Sequence, residues 1–394
     1  MTRFTMSAAL LLTAAMLPVA AFAQEGNAAE PSIDDRPFDL AARQAPWGRW
    51  NIDLNDHDRV YSIGSSSGSI SVMDPSSNEF LGAIRVDVSN AGGGTSQRAG
   101  SAIPAVSYAP NGRTLAVSLT GTRSVAFLDT RSNTVVGTSR FEGSPVGVTY
   151  APHGKEVWIP VVGDDHISVR EAKGFSEVAR IDVGGPPGPV AFSNNGRHAF
   201  VCSASGTAVL DVAKRSVIAT APTGDKPCTS IAASPDGRQI WLTLLGAGRA
   251  VAVSTKHPFA ILRSIDTGPR TIGVNFVSND DGQFAYVSVA GLNAVKVFDT
   301  GSFEALATIP VGRSPSGVWP SGDGSRIYVG LEGDSSVAVI DPGAMRVVGN
   351  VEMGQPVQAI AYVPYAVRSV QSRVNLQAEP DAEVNVADNV TVAK

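Results

Sequence analysis

Apolar and polar residues alternate along most of this chain in short runs, most of which end on an acid. The runs are Ile70-Ser71-Val72-Met73-Asp74, Val125-Ala126-Phe127-Leu128-Asp129, Ile167-Ser168-Val169-Arg170-Glu171, Ala208-Val209-Leu210-Asp211, Val251-Ala252-Val253-Ser254, Val295-Lys296-Val297-Phe298-Asp299 and Val337-Ala338-Val339-Ile340-Asp341. Alternation with a period of two predicts a strand. A closing Asp predicts a turn, because its carboxylate accepts a backbone N–H two residues on. A second signal precedes a short apolar run: Pro110-Asn111-Gly112-Arg113, Pro152-His153-Gly154-Lys155, Asn194-Asn195-Gly196-Arg197, Pro235-Asp236-Gly237-Arg238, Asp280-Asp281-Gly282-Gln283 and Gly322-Asp323-Gly324-Ser325, with a degenerate copy over 55–59. Pro fixes φ, Asn and Asp tolerate the left-handed region and Gly occupies it freely, so these are tight turns between strands.

Each signal occurs seven times, spaced by about 40 to 45 residues except for one longer gap. The unit from Val311 to Val351 shows four strand signals separated by turn chemistry. A repeat of that length with four strands is one blade of a β-propeller. A single blade cannot bury both faces of its sheet, so its neighbours must cover them, and closing the ring leaves only short edges. The pattern therefore predicts an all-β chain: a seven-bladed β-propeller over residues 46–366, with four antiparallel strands per blade. Two stretches compete to close the ring, Trp47-Gly48-Arg49-Trp50-Asn51-Ile52 and Pro356-Val357-Gln358-Ala359-Ile360-Ala361-Tyr362, and the pattern leaves both open.

Composition agrees with short strands joined by turns: charged residues are 17% of the chain, with 40 Gly and 25 Pro. A formal charge of -5 gives no footprint for bulk nucleic-acid binding, which needs a basic face. At the N-terminus, Arg3, the apolar stretch from Met6 to Val19 and Ala21-Phe22-Ala23 predict a signal peptide over 1–23, cleaved before Gln24. Residues 24–45 read as a polar linker, and the tail over 367–394 reads as disordered. No later stretch is long and apolar enough to span a bilayer. The expectation is a periplasmic or secreted protein. Such a compartment permits a disulfide between Cys202 and Cys228, which fall at facing ends of strands in adjacent blades; the alternative is two buried thiols. No Cys-x-x-Cys-His site is present to attach haem.

Three segments carry a resemblance: Tyr328-Val329-Gly330, Val337-Ala338-Val339-Ile340-Asp341 and Val311-Gly312-Arg313-Ser314-Pro315-Ser316-Gly317. They resemble the YVTN-type β-propeller repeat family, with copies in six of the seven blades across most of residues 46–366. The resemblance implies an exported propeller. Relatives of that kind include binding and surface-layer proteins, some associated with quinoprotein oxidation systems, and similar propellers serve as lactonases or lyases. A shared fold does not select among these.

Strand order within a blade places two sets of loops on one face: those leading into the first strand and those joining the second to the third. Ligands commonly bind there, at the mouth of the channel. On this face fall Arg123, Asp164-Asp165-His166, Lys226, Arg249, Arg270 and Arg313, together with a glycine-rich insertion from Val88 to Gly100 that carries Arg98. The Gly92-Gly93-Gly94 run lacks the Gly-Lys-Ser/Thr ending of a phosphate loop. Lys226, Arg249, Arg270 and Arg313 predict a cationic arc suited to a carboxylate or phosphate; the alternative is ordinary solvated loop charge. The Asp164-Asp165-His166 trio is either a metal or acid–base group or a solvated turn. No multi-histidine constellation and no Gly-x-Ser-x-Gly elbow is present, so no metal site and no catalytic residue is assigned. Two readings follow. One is an exported binding protein or scaffold for a small anionic ligand or a periplasmic protein partner, accessory to a periplasmic oxidation system. The other is a lactonase-like hydrolase or lyase acting at the channel mouth.

Overall fold

The computed structural model describes residues 57–64, 68–86, 104–224, 228–279, 282–367 and 374–377. The segments predicted as signal peptide and linker, Trp47–Ile52 and the insertion with Arg98 lie outside the described residues, as does Lys226. The strands form seven antiparallel sheets arranged as the blades of a seven-bladed β-propeller. From the channel outward, blade two is Val106–Tyr108, Thr114–Leu119, Ser124–Asp129 and Thr134–Arg140. Blades four to seven repeat this order from Val190–Phe192 through Arg346–Glu352. In blade three the first strand is split into Ser144–Pro145 and Thr149–Tyr150, both paired with Glu156–Val162. The break falls at Pro160, whose carbonyl accepts Val146 N–H but which has no N–H to return. Two short 3-10 turns, Thr120–Thr122 and Ala290–Leu292, are the only helical elements among the described residues, and no helix is long and apolar enough to cross a membrane.

The closing strand is the C-terminal candidate. Ala359–Val363 is the first strand of blade one and pairs antiparallel with Arg59–Ile63, followed by Ser69–Asp74 and Glu79–Arg85. Its two faces pack on different neighbours. Ala359, Ala361 and Val363 join the core shared with blade two, while Ile360 and Tyr362 join that shared with blade seven. Tyr108 of blade two and Trp319 of blade seven meet each other, their rings 6.3 Å apart, and pack on the cluster that includes Ala359, Ala361 and Val363. Tyr362 donates its hydroxyl to buried Asp58, whose other carboxylate oxygen accepts Tyr365 N–H at 2.8 Å. Gln355, just before the strand, donates to Ser71 Oγ at 2.8 Å, and Ser71 Oγ donates to Met353 O at 3.0 Å.

The turns form as their sequences dictate. Asn111, Asn195, Asp236 and Asp323 each accept the N–H two residues on, at 2.9 to 3.0 Å. Between third and fourth strands, Asp74, Asp129 and Asp299 do the same. That second turn contains one left-handed non-glycine residue in every blade: Asn78, Asn133, Phe175, Arg215, Phe259, Phe303 and Met345. A large side chain in this conformation costs on the order of 1–3 kcal/mol. Packing offsets the cost, because the side chain wedges against the preceding blade. Phe175 stacks on Phe127 at 3.8 Å, Phe259 meets Phe200 edge-on, Phe303 lies on Trp241, and Arg215 donates to Glu156.

Equivalent positions of the second strands carry buried aromatics, Tyr61, Trp158, Phe200, Trp241, Tyr286 and Tyr328. Blade two has Ala116 there, and the Phe127–Phe175 stack belongs to the same cluster. Near the channel, hydroxyls bridge neighbouring blades. Ser316 donates to Val357 O and Gln358 O, Ser288 to Ser316 O, Thr243 to Ile272 O and Thr149 to Val190 O. Each such bond contributes about 1 kcal/mol net. Cys202 and Cys228 are bonded, with Cα atoms 5.9 Å apart, and join blade four to blade five.

If ring closure is held this way, Tyr362→Phe removes one partner from a buried carboxylate. It should lower stability by about 1–3 kcal/mol in urea unfolding with the m-value unchanged.

Candidate functional site

Loops leading into first strands and loops joining second to third strands meet on one face. Ala290 N–H donates to Arg270 O and Glu332 N–H to Ser314 O, each pair drawn from the two loop sets of one blade, and Phe141 N–H, in the loop into blade three, donates to Arg123 O of blade two. Ser314 N–H also donates to Asn293 Oδ1 of the preceding blade, at 3.0 Å. These short loops turn on left-handed residues, among them Arg123, Asp165, Arg270, Asn293 and Ser314. The rim therefore has a fixed backbone on which the charged side chains stand.

The arc of cations is largely neutralised on that backbone. Arg249 Nε donates to Asp266 Oδ1 at 2.7 Å; the two residues oppose each other across the third and fourth strands of blade five. Arg313 clasps Asp334 twice, through its backbone N–H at 2.6 Å and its Nε at 2.5 Å. Those bonds, the backbone one first, hold the Asp334 carboxyl below its ordinary range. Arg123 turns its guanidinium to the Glu142 carbonyl at 3.2 Å. Arg270 differs: no carboxylate among the described residues lies within ion-pair distance. It lines an open hollow of about 460 Å³ with Leu245–Gly248, Asp266, Gly268 and Pro269. The hollow exists because two loops approach closely. A Cβ on Gly248 would lie 2.6 Å from Gly268 O, and both glycines have positive φ.

At blade three the Asp164-Asp165-His166 trio divides. Asp165 is exposed, left-handed and accepts Gly163 N–H at 3.1 Å, as a turn residue does. His166 is buried, with Nδ1 3.2 Å from Asp164 Oδ2, while Nε2, also buried, has no partner among the described residues. Asp164 also faces Arg180, 3.5 Å away, which bonds Glu177 at 2.6 Å. Burial raises the Glu177 carboxyl, but hydrogen bonds from Ser168 and Arg180 outweigh it and hold the group low. Among the described residues no group of three or more His, Cys, Asp or Glu is placed to hold a metal ion. The structure thus brings Arg249, Asp266 and Arg270 together and leaves Arg123, Arg313 and His166 at separate points of the rim. Asp266, Arg180 and Glu177 are the partners that the sequence pattern did not single out. The cross-strand register was the one signal that points to Asp266.

The Arg313–Asp334 clasp predicts a pH dependence. The folded carboxyl is depressed, so its contribution is complete above the unfolded value and fades as pH falls through the lower folded one. An NMR titration should find Asp334 titrating below about 3.9, the reference for Asp, and moving only part of the way back toward it in Arg313→Ala, which removes the guanidinium but keeps the backbone N–H.

No family model and no curated protein matches the chain. Solved structures do. A functionally unknown protein from Desulfotomaculum acetoxidans superposes with a TM-score of 0.61 at 14% identity, covering 77% of this chain and 98% of that one. Kuenenia stuttgartiensis hydrazine synthase gives 0.59 at 18% identity, over 70% and 94% of the two chains. The β-propeller domain of Myceliophteria thermophila Cps50 (Swd1) gives 0.59 at 12%, over 74% and 96%. At such identities the likeness is one of fold: this chain is a seven-bladed β-propeller with propellers as its structural neighbours.

Proposed function

We propose that this protein is an exported binding propeller that takes a small carboxylate or similar anion on the rim between blades five and six. The observation that carries the reading is Arg270. It stands in a hollow of about 460 Å³ while Arg249 and Arg313 are occupied by Asp266 and Asp334. A guanidinium without a protein carboxylate can meet a ligand carboxylate through two parallel N–H bonds. The same pairing of Arg with Asp around the rim, with a formal charge of -5, favours a compact anion over a nucleic acid. Export rests on the segment from Arg3 to Ala23. Membership of the YVTN-type repeat family, and with it a role accessory to a periplasmic oxidation system, rests on the repeat residues such as Tyr328-Val329-Gly330.

The test is calorimetry or thermal shift of the mature protein with small organic acids and their neutral amides. Acids should bind and amides should not. Arg270→Ala should weaken binding about 10-fold or more, the value of a charge-assisted pair, and Arg263→Ala on the outer strand should leave it unchanged. Equal binding of acids and amides, or binding that survives Arg270→Ala, sinks the proposal.

A second reading, a lactonase-like hydrolase or lyase, is favoured by one observation. His166 holds Nδ1 on Asp164 and leaves Nε2 without a partner, the arrangement of an oriented base. On that reading His166→Gln abolishes lactone turnover while the melting temperature stays within a few degrees. Turnover retained by the variant rules it out.

A further inference from the structure

One junction between blades is built from a different part of the chain than the rest. The wedge residue of each third–fourth turn sits against the blade before it. Where the fourth strand carries a glycine at its bulge, that wedge fills the space. A Cβ on Gly137 of blade two would lie 2.5 Å from the ring of Phe175, and one on Gly349 of blade seven 3.9 Å from Nδ2 of Asn78. The counterpart in blade one is Gly82, at the same register position beside the bulge. The wedge expected to meet it is Asn133 of blade two. Asn133 is buried, and its amide donates instead to Val374 O at 2.9 Å.

The space over Gly82 is filled by the tail. A Cβ there would lie 3.0 Å from Leu376 Cβ and 2.5 Å from Gln377 O. Leu376 packs on the core shared by blades one and two. Ala83 and Gln377 exchange two backbone hydrogen bonds of 2.8 Å, and Asn375 donates to Ser132 O at 2.8 Å. Backbone, side chain and missing Cβ agree on a single seat for these four residues.

We propose that residues 374–377 are a latch: this later segment of the chain adds to the outer edge of blade one and supplies, through Leu376, the wedge that Asn133, with its amide turned to Val374, does not provide. The latch covers an exposed sheet edge, whose free N–H and C=O groups otherwise recruit another chain. It also sits on the blade that closes the ring. The closing strand and the latch are thereby both committed to blade one.

The experiment is hydrogen exchange on the full mature chain, comparing the Ala83 amide with that of Val209 in the core of blade four. In the unaltered protein both are protected. Leu376→Asp should speed exchange at Ala83 by about tenfold or more and leave Val209 unchanged, because local opening is separable from global unfolding. Asn133→Ala, which removes only the amide that holds Val374, should speed Ala83 to a smaller extent. Equal acceleration at both amides, or none at Ala83, overturns the latch. So does a stable dimer of the unaltered protein in sedimentation, with the tail of one copy seated on the other.

Discussion

The pairing of Ala359–Val363 with Arg59–Ile63 is the contact on which the rest of the ring depends. Every blade is a sheet with two apolar faces, and each face is buried only if both neighbours are present. Remove the closing pair and blade one loses its innermost strand, and blades two and seven each lose the wall that Tyr108 and Trp319 rest on. The residues chosen for that strand suit the task. Small Ala359 and Ala361 let blade two approach, while Tyr362 reaches down to Asp58 and ties the strand to the segment that precedes its partner. The inter-blade hydroxyls then act as a second fastening at the channel wall. They spend polar groups on neighbouring carbonyls instead of leaving them to face the channel.

This rigidity decides what the rim can do. Short loops fixed by left-handed residues bring oppositely charged side chains within reach of each other, and most of them pair. Among the described residues the geometry withholds a carboxylate partner from Arg270, beside loops that only glycine allows to come so close. His166 is a second such place, with one ring nitrogen satisfied and the other, buried, without a partner among the described residues.

The blades were legible in the sequence because they depend on local signals. Asp236-Gly237 and Asp323-Gly324 make turns wherever they stand, and Val337–Asp341 alternates for any reader. Closure was not legible in this way: Pro356–Tyr362 and Trp47–Ile52 share the same local pattern, and only strand pairing distinguishes the one that completes the sheet. The cationic arc was read from residue type and loop position, which place Arg249 and Arg313 on the rim correctly. Their neutralisation depends on Asp266 across a strand pair and Asp334 in another loop, and charge counted one residue at a time does not register it. The wedges were hidden for a further reason. Phe175, Phe259 and Phe303 occupy a backbone conformation that their type disfavours, so local propensity points away from them. Their place is set by packing on another blade.

The direction of the wedges carries a consequence for the order of events as the chain forms. Blades two to five are gripped by the blade that follows in sequence, as Phe175 grips blade two and Phe303 grips blade five. Blade one is the exception in time. It is synthesised first, yet its inner strand arrives only with residue 363 and its outer cover only with residue 377. Until then the first blade is a three-stranded remnant with an open flank on either side. The ring is therefore left open until residue 363 has joined blade one, and the two flanks of that blade stay bare for as long as the chain between them is being made.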